Sequence, residues 1–306
     1  MIIRGRNFPR PVLTWSQCGL TEKILRVITK LNYSKPFPIQ AQAIPTIMTG
    51  REVIAVAKTG SGKTLGYLLP LFRHIMDQPP IQEGDGPIGL VLAPSRELCA
   101  QIYNEANKFC KSLGIRCTAV YGGTSTTEQI NSLKRGSEII VCTPGRMIEI
   151  LSLNQGRLVS LRRVSYVVLD EADRMLDMGF EPQIQMILQN VRPDRQLVMF
   201  SATFPSYVEN MARKILQKPI MIVVGGRTEV AAEVSQIIEV RPKDQKLFRL
   251  LEILGTWYEK GLILIFVDKQ QKADCVGLFV YSFEDHSFTR PLTHSLIHSL
   301  IHSFTH

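Results

Sequence analysis

Short apolar segments and longer amphipathic segments alternate along most of this chain. Runs such as Val-Ile-Ala-Val at 53–56 and Val-Ser-Tyr-Val-Val-Leu at 164–169 have the length of buried strands. Strands that are apolar throughout are typical of a parallel sheet covered by helices on both faces. The pattern therefore predicts a doubly wound α/β domain, in which ligands bind at the carboxyl ends of the strands.

The predicted elements of this domain follow one another at short intervals. The strands are predicted at 53–56, 88–93, 115–121, 138–142, 164–169, 196–200 and 219–224. The helices are predicted at 21–31, 41–48, from 65 onward, and at 96–111, 126–133, 146–153, 182–190 and 206–216. Helices thus follow strands in almost strict alternation, as a parallel sheet requires.

The pattern breaks at Gly225-Gly226-Arg227, and a second unit of strand, helix and strand is predicted at 236–240, 245–257 and 262–267. The domain prediction that follows has five parts. These are an N-terminal extension at 1–12, the α/β domain at 13–226, a linker at 227–235, the start of a second domain at 236–274, and a tail at 275–306.

Charge and cysteine content narrow the functional classes. The 306 residues carry a formal net charge of +9, which is compatible with a polyanionic partner. Six scattered cysteines with no Cys-x-x-Cys pair predict a reducing compartment, with no disulfide-linked partner and no structural zinc. No leader peptide and no membrane-spanning segment are predicted.

A glycine-rich segment follows the strand at 53–56 and leads into a helix. Strand, glycine turn and helix are the context of a phosphate-binding P-loop, in which backbone N–H groups and the helix N-terminus hold phosphate oxygens. Here Ala57 takes the position where that pattern usually has glycine. Lys63 would reach the β- and γ-phosphates and Thr64 would contact Mg²⁺; the alternative is a chance glycine turn. The candidate nucleotide-binding residues are Lys58, Thr59, Gly60, Ser61, Gly62, Lys63 and Thr64.

An acidic segment, Asp170-Glu171-Ala172-Asp173, follows the strand at 164–169. An acid at this position coordinates Mg²⁺ in P-loop enzymes, and the next acid is placed to deprotonate the attacking water. The alternative is a solvated acidic turn that caps the following helix. Ser201 and Thr203 follow another strand and could hydrogen-bond the acidic turn, although such tripeptides are also common helix caps.

Further polar residues lie in four other loops. An exposed amide at Gln40 could read an adenine edge, or it could cap its own helix. Three loops at strand ends combine backbone donors with a hydroxyl or arginine, which suits a phosphodiester backbone, although each could also be an ordinary turn. These loops are Pro94-Ser95-Arg96-Glu97-Leu98, Gly122-Gly123 and Thr143-Pro144-Gly145-Arg146.

Taken together and in this order, the segments resemble the motifs of the DEAD-box family of ATP-dependent RNA helicases, and the acidic segment spells Asp-Glu-Ala-Asp. The resemblance covers residues 8 to 274 and implies a RecA-like P-loop domain followed by the start of a second one. It implies ATP and Mg²⁺ as cofactors and RNA, bound through its backbone, as partner.

The resemblance also implies roles for individual residues. Lys63, Asp170 and Glu171 would be catalytic, with Thr64 and Asp170 holding Mg²⁺ mainly through water. Gln40 would recognise adenine with Trp15 stacking nearby. Asp173, Ser201 and Thr203 would couple nucleotide state to RNA. The implied RNA-binding residues are Pro94, Arg96, Gly123, Thr143 and Arg146.

Three segments, at 72–78, 191–196 and 265–270, are most similar to the pre-mRNA-splicing subfamily that acts when the branch-site ribonucleoprotein joins the intron. This similarity implies spliceosomal protein partners and a nuclear location.

The family's second lobe carries an Ala-Arg-Gly-type motif and a His-Arg-x-Gly-Arg-x-Gly-Arg motif, and neither occurs in this sequence. We therefore keep a second hypothesis, a catalytically incompetent one-lobe fragment that binds nucleotide or RNA. Residues 275–306, with histidine at every fourth position near the end, are predicted to be a translated simple repeat without a stable fold; metal binding by these histidines is the alternative.

Overall fold

The structure is a computed structural model that describes residues 1–82, 84–123, 125–153, 158–225, 235–257, 259–269, 271–274 and 276–277. Its contacts divide the chain into two units, Met1–Ala231 and Ala232–His306. Most of the predicted linker at 227–235 and nearly all of the predicted tail at 275–306 lie outside the described residues.

An eight-stranded sheet runs through the described part of the first unit. The strands are β1 (Ile2–Arg4), β2 (Val53–Ala57), β3 (Gly89–Leu92), β4 (Cys117–Val120), β5 (Ile139–Cys142), β6 (Tyr166–Leu169), β7 (Gln196–Ser201) and β8 (Ile220–Val224). Their order across the sheet is β1-β8-β2-β7-β6-β3-β5-β4, and every pairing is parallel except that of β1 with β8. The predicted mostly parallel α/β fold is confirmed.

Helices connect the strands, and a short 3-10 helix at Trp15–Cys18 precedes the first α-helix. The helices of the first unit are α1 (Glu22–Lys30), α2 (Pro38–Met48), α3 (Lys63–Met76), α4 (Arg96–Leu113), α5 (Thr126–Lys134), α6 (Pro144–Ser152), α7 (Ala172–Asp177), α8 (Glu181–Asn190) and α9 (Ser206–Ile215). The second unit contains α10 (Lys243–Trp257).

Successive residues of each strand pack into different cores, because side chains alternate across a sheet. In β2, Val53 and Ala55 join one cluster whereas Ile54 and Val56 join the other. Helices α1 to α4 cover the first face, and helices including α6, α8 and α9 cover the second. Both faces of β2, β3, β5 and β6 are buried, which explains why these strands have no polar side chain apart from Tyr166.

Three elements of the first unit were not predicted, the 3-10 helix at Trp15–Cys18 among them. Residues 1–12 were assigned to an extension, yet Ile2–Arg4 forms the edge strand β1, with Ile2 opposite Val223. The segment has only three residues, ends at Arg4 and is followed by Arg6, so it shows no strand pattern. Helix α7 directly follows the acidic turn and is only six residues long, below the length at which periodicity is visible.

The two strands predicted in the second unit are wrong. Residues 235–242 and 261–267 are neither helix nor strand, whereas the helix between them is present. Ile238 and Val240 are exposed, and a strand needs hydrogen-bonded neighbours that this unit does not supply in its described part. No helix in the described ranges is both long enough and apolar enough to cross a bilayer.

Candidate functional site

A cavity of about 670 Å³ lies at the carboxyl ends of β2 and β6 in the first unit. Its walls bring together groups that are far apart in sequence: the segment before α2, the glycine turn before α3, the first half of α4, and the acidic turn after β6. The predicted residues among its lining are Trp15, Gln40, Thr59, Gly60, Gly62, Lys63, Thr64, Asp170 and Glu171.

The glycine turn has a backbone that side chains would disrupt. Gly60 and Gly62 have φ angles of 76° and 83°, in the left-handed region that favours glycine. A Cβ on Gly62 would also lie 2.5 Å from Gln40 Nε2 and 2.7 Å from a ring carbon of Phe37. The turn therefore keeps its backbone open toward the cavity.

Two side chains of this turn fit a phosphate group. Lys63 is buried, and its ammonium donates to the Ala57 carbonyl oxygen at 3.0 Å. The Ser61 hydroxyl is buried and has no hydrogen-bond partner among the described residues. A buried polar atom without a partner is costly, and phosphate oxygens would supply the acceptor that Ser61 lacks.

Asp170 lies across the cavity with a buried carboxylate. Its Oδ2 accepts a hydrogen bond from the Tyr67 hydroxyl at 2.8 Å, and its Oδ1 accepts one from the Glu171 N–H at 3.0 Å. Burial raises the pKa of Asp170 to about 6, although the Tyr67 bond and the nearby Lys63 ammonium oppose the rise. The alternative of a solvated acidic turn is wrong for Asp170, whose exposed fraction is 3%.

Glu171 occupies a strained backbone conformation at the start of α7. Its φ and ψ are 51° and 52°, a left-handed combination that is uncommon for a residue with a side chain. Such strain persists only where the surroundings enforce it, and it clusters at functional sites. The turn leaves the Glu171 carboxylate on the cavity wall, 3.8 Å from an Arg174 nitrogen.

Asp173 connects the acidic turn to the loop after β7. Its Oδ2 accepts hydrogen bonds from the Thr203 N–H at 2.8 Å and the Thr203 hydroxyl at 2.6 Å. The Asp173 N–H donates to the Ser201 hydroxyl at 3.2 Å. Partial burial would raise the Asp173 pKa, but these hydrogen bonds outweigh it and lower the pKa. The predicted bonds between the two hydroxyls and the acidic turn are present.

The exposed amide predicted at Gln40 is wrong. Gln40 has an exposed fraction of 1%; its Oε1 accepts from the Phe37 N–H at 2.8 Å and its Nε2 donates to the Gly62 carbonyl at 2.7 Å. It caps α2 by accepting from the backbone N–H of Phe37, the residue before the helix. It also ties α2 to the glycine turn. Adenine recognition by this amide stays a prediction; its oxygen has a second lone pair and its nitrogen a second N–H.

Trp15 contributes to the same cavity from the 3-10 helix. Its ring is buried and its indole N–H donates to the Tyr33 carbonyl at 2.9 Å, which fixes the ring. The Tyr33 hydroxyl in turn donates to Glu105 on α4 at 2.8 Å. With Phe37, three aromatic side chains line the cavity, and stacking of a base on Trp15 stays a prediction.

The loops predicted to bind RNA follow β3, β4 and β5, which are neighbours in the sheet. Arg96 is the first residue of α4 after β3, and it follows Pro94, which is buried, and Ser95, which is partly buried. Its guanidinium lies against Gly123 so closely that a Cβ on Gly123, whose φ is 84°, would collide with it. The glycine therefore makes room for the arginine of the neighbouring loop.

Arg146 is held by α5 and its own helix. Its guanidinium donates to the Thr126 hydroxyl at 2.7 Å, to Gln129 Oε1 at 3.4 Å and to the Glu149 carboxylate at 2.6 Å. Gln129 is buried and its Nε2 donates to the Tyr121 carbonyl at 2.8 Å, next to the glycine pair. Thr143 precedes α6 as its N-cap, so this residue and Arg146 lie on one helical turn.

This arrangement agrees with comparisons to known proteins. Residues 37–211 match the sequence profile of the DEAD/DEAH box helicase family. The chain belongs to this family. The match includes the glycine turn, the acidic turn and all three loops predicted to contact RNA.

Among DEAD-box proteins, DEAD-box ATP-dependent RNA helicase 45 of Arabidopsis thaliana is 61% identical over 271 residues. The alignment covers 89% of this chain but only 27% of that protein. The chain therefore spans about a quarter of the length of this curated relative.

Two solved DEAD-box structures are similar over nearly the whole chain. The RNA helicase Prp28 from Chaetomium thermophilum, crystallised with ADP, is 38% identical with a TM-score of 0.67. The yeast DEAD-box splicing factor Prp28 is 32% identical with a TM-score of 0.71. The matches cover 92% and 94% of this chain and 66% of each Prp28 chain.

Sequence reasoning missed two polar residues of this DEAD-box site. Tyr67 lies in an apolar stretch of α3 and has the spacing of a core residue, so nothing local indicates its bond to Asp170. Gln129 lies on a predicted surface helix, yet it is buried against Arg146. Both contacts join residues on different elements, so no local pattern in the sequence indicates them. The polar side chains themselves were the only signal, because a buried polar group needs a hydrogen-bond partner.

Proposed function

We propose that this chain forms the ATP-binding lobe of an ATP-dependent RNA helicase, in which RNA binding stimulates ATP hydrolysis. One observation carries the proposal: the buried Asp170 carboxylate and the strained Glu171 share a cavity with the glycine turn and Lys63. Similarity to ATP-dependent RNA helicases over about nine-tenths of the chain supports it.

The residues of the cavity divide the work of phosphoryl transfer. Backbone N–H groups of the glycine turn, with Ser61 and Lys63, hold the phosphate oxygens, and Lys63 exchanges its bond to Ala57 for them. Thr64 and Asp170 would hold Mg²⁺, mainly through water. When bound, Mg²⁺ supplies positive charge that offsets the charge developing on the transferred group. Glu171 orients the attacking water and accepts its proton.

RNA would bind through its backbone across the loops that follow β3, β5 and β4. Arg96, Arg146, the backbone around Gly123, and the loop residues Pro94 and Thr143 face the same edge of the sheet, and arginines are suited to phosphate oxygens. Asp173, Ser201 and Thr203 would report nucleotide state, because their bonds join the acidic turn to the next loop.

A role in pre-mRNA splicing is the finer part of this proposal. It is supported by the similarity to yeast Prp28, which is described as a splicing factor, and by the three segments that resemble the splicing subfamily. Spliceosomal protein partners and a nuclear location follow as proposals of the same kind.

The test is ATP hydrolysis by the purified chain with and without single-stranded RNA, with Lys63→Ala as the blank. RNA-stimulated hydrolysis well above the blank would support the helicase assignment. Hydrolysis at the level of the blank, with ATP binding retained, would favour the alternative of a one-lobe nucleotide- or RNA-binding fragment.

A further inference from the structure

A tyrosine hydroxyl lies inside the candidate magnesium site. Tyr67 is in the second turn of α3, one helical turn after Thr64, and is completely buried. Its hydroxyl donates to Asp170 Oδ2 at 2.8 Å across 103 residues of sequence. The Thr64 side chain lies near the same phenol. The hydroxyl therefore bonds one of the two side chains that would hold Mg²⁺ and lies near the other.

The orientation of this hydroxyl is fixed by its surroundings. The Tyr67 ring packs edge-on against Phe200 of β7, with ring centres 5.2 Å apart. The Tyr67 carbonyl accepts a hydrogen bond from the Tyr166 hydroxyl at 3.1 Å. The buried, packed ring is not free to turn the phenol away from Asp170.

The bond in turn fixes the Asp170 carboxylate. Tyr67 takes Oδ2 and the Glu171 N–H takes Oδ1, so both oxygens are oriented without a metal. Each carboxylate oxygen has a second lone pair and can still accept from a metal-bound water. Partners of this kind set the direction in which a metal-binding group points.

We propose that Tyr67 is a positioning residue of the magnesium site, whose hydroxyl holds Asp170 in the geometry that binds Mg²⁺ with nucleotide. The inference rests on the proposed nucleotide site and adds to it a residue that acts through Asp170. A purely structural tyrosine would fill the core through its ring alone, so phenylalanine would replace it without loss. The hydroxyl is what distinguishes the two roles.

The experiment compares Tyr67→Phe with Tyr166→Phe in the full chain. Both changes remove one buried hydroxyl and leave the ring, but the Tyr166 hydroxyl bonds the backbone carbonyl of Tyr67, which helix α3 holds in place without it. The measurement is the dissociation constant of a fluorescent ADP analogue, in Mg²⁺ and in EDTA. Mn²⁺ binding by electron paramagnetic resonance, in the presence of ADP, reads metal affinity directly.

For Tyr67→Phe we expect metal affinity to fall about tenfold, the lower end of the range for losing a partner of a metal-binding side chain. Affinity for the analogue should fall in Mg²⁺ and stay unchanged in EDTA, whereas Tyr166→Phe should change neither. In an Asp170→Asn background, Tyr67→Phe should cause no further loss, which separates positioning from damage to the fold.

Two results would overturn the inference: equal loss of affinity with and without Mg²⁺, or metal affinity in Tyr67→Phe equal to that of the Tyr166→Phe control. Absence of nucleotide binding by the unmodified chain would instead contradict the proposed nucleotide site itself. The two failures are therefore distinguishable.

Discussion

Strands β2 and β6 end in residues that line the nucleotide cavity, and β7 ends in the loop bonded to the acidic turn, whereas β3, β5 and β4 end in the loops proposed to bind RNA. The first group presents buried polar side chains, among them Lys63, Asp170 and Ser201. The second group presents Arg96 at the surface and Arg146 in bonds to neighbouring side chains.

The difference concerns what each half must do when its ligand arrives. Buried groups at the nucleotide half are already oriented, and the main rearrangement there would be the exchange of the Lys63 bond to Ala57 for phosphate oxygens. At the RNA half, Arg146 would exchange bonds to Thr126 and Glu149 for phosphate oxygens. Asp173 and Thr203 belong to the first half, and in the proposed function their bonds report nucleotide state to the RNA half.

Of the changes considered, Glu171→Gln should give the largest difference in effect between the nucleotide half and the RNA half. Removing the proton acceptor should lower kcat for RNA-stimulated hydrolysis by about 10²–10⁴-fold. ATP affinity and RNA affinity should change little, since the amide keeps the shape of the side chain. Steady-state kinetics with separate binding titrations check this.

The matched control is Glu209→Gln, which removes an exposed carboxylate from the first turn of α9. It should leave kcat unchanged. A Glu171→Gln variant with normal kcat would remove Glu171 from the proposed role as base.

Thr203→Val should weaken communication between the halves. It removes a hydroxyl that donates to the Asp173 carboxylate, a charged hydrogen bond typically worth about 1.5–3 kcal/mol. We expect lower stability in urea and a smaller stimulation of ATP hydrolysis by RNA, with RNA-free hydrolysis retained.

Thr203→Ser keeps the hydroxyl and should restore both stability and stimulation. If the serine variant lost both as well, the hydrogen bond alone would not account for the role of Thr203, because serine lacks the methyl group that valine keeps.

Arg146→Ala should affect the RNA half alone. Loss of one phosphate contact should weaken RNA binding several-fold and reduce the salt dependence of log K by about one unit. The change should be uniform across RNA sequences, and ADP affinity should be unaffected. Fluorescence anisotropy at several salt concentrations measures it.

Arg213→Ala makes the same change of charge on the exposed face of α9. It should alter neither affinity nor salt slope. An equal loss of RNA affinity in both variants would mean that net charge, rather than the Arg146 loop, governs binding.

The smallest effect is expected from a change at His74, which lies at the amino end of β6 and away from both halves. Burial lowers the pKa of His74 below its ordinary value of 6.5, with Asp77 opposing and Arg192 adding to the shift. The unfolded chain therefore binds this proton more readily, so stability falls as pH drops through about 6.5.

His74→Gln should reduce the loss of unfolding free energy between about pH 7.5 and pH 5.5, measured by urea titration at both values. Nucleotide and RNA affinity at the higher pH should stay as they were. An identical pH dependence in the two proteins would contradict the buried, neutral histidine.

The sequence predicted the elements of the nucleotide half better than the contacts between those elements. Apolar strands and the glycine turn are local patterns, so β2, the turn at 58–62 and α3 were predicted from neighbouring residues alone. The inward amide of Gln40 depends instead on Gly62, and the Tyr67 hydroxyl depends on Asp170. Such pairs join distant residues and leave no periodic signal.

The edge strand β1 and the second unit both show that a strand cannot be predicted from local sequence alone. Ile2–Arg4 is a strand only because β8 supplies a partner more than 200 residues later in the chain. Residues 236–240 have the composition of a strand but lack a partner in the described second unit. Apolar composition predicts burial, whereas a strand also requires a neighbour.

The strand order also has a consequence for synthesis on the ribosome. Strand β2 lies between β7 and β8, and β1 pairs with β8. The two strands that are synthesised first therefore cannot be fully paired until the two that are synthesised last are available. A nascent chain released before residue 224 would leave β1, and one whole side of β2, unpaired. The P-loop strand is thus among the last parts of the sheet to be completed, and nucleotide should not protect shorter nascent chains from proteolysis.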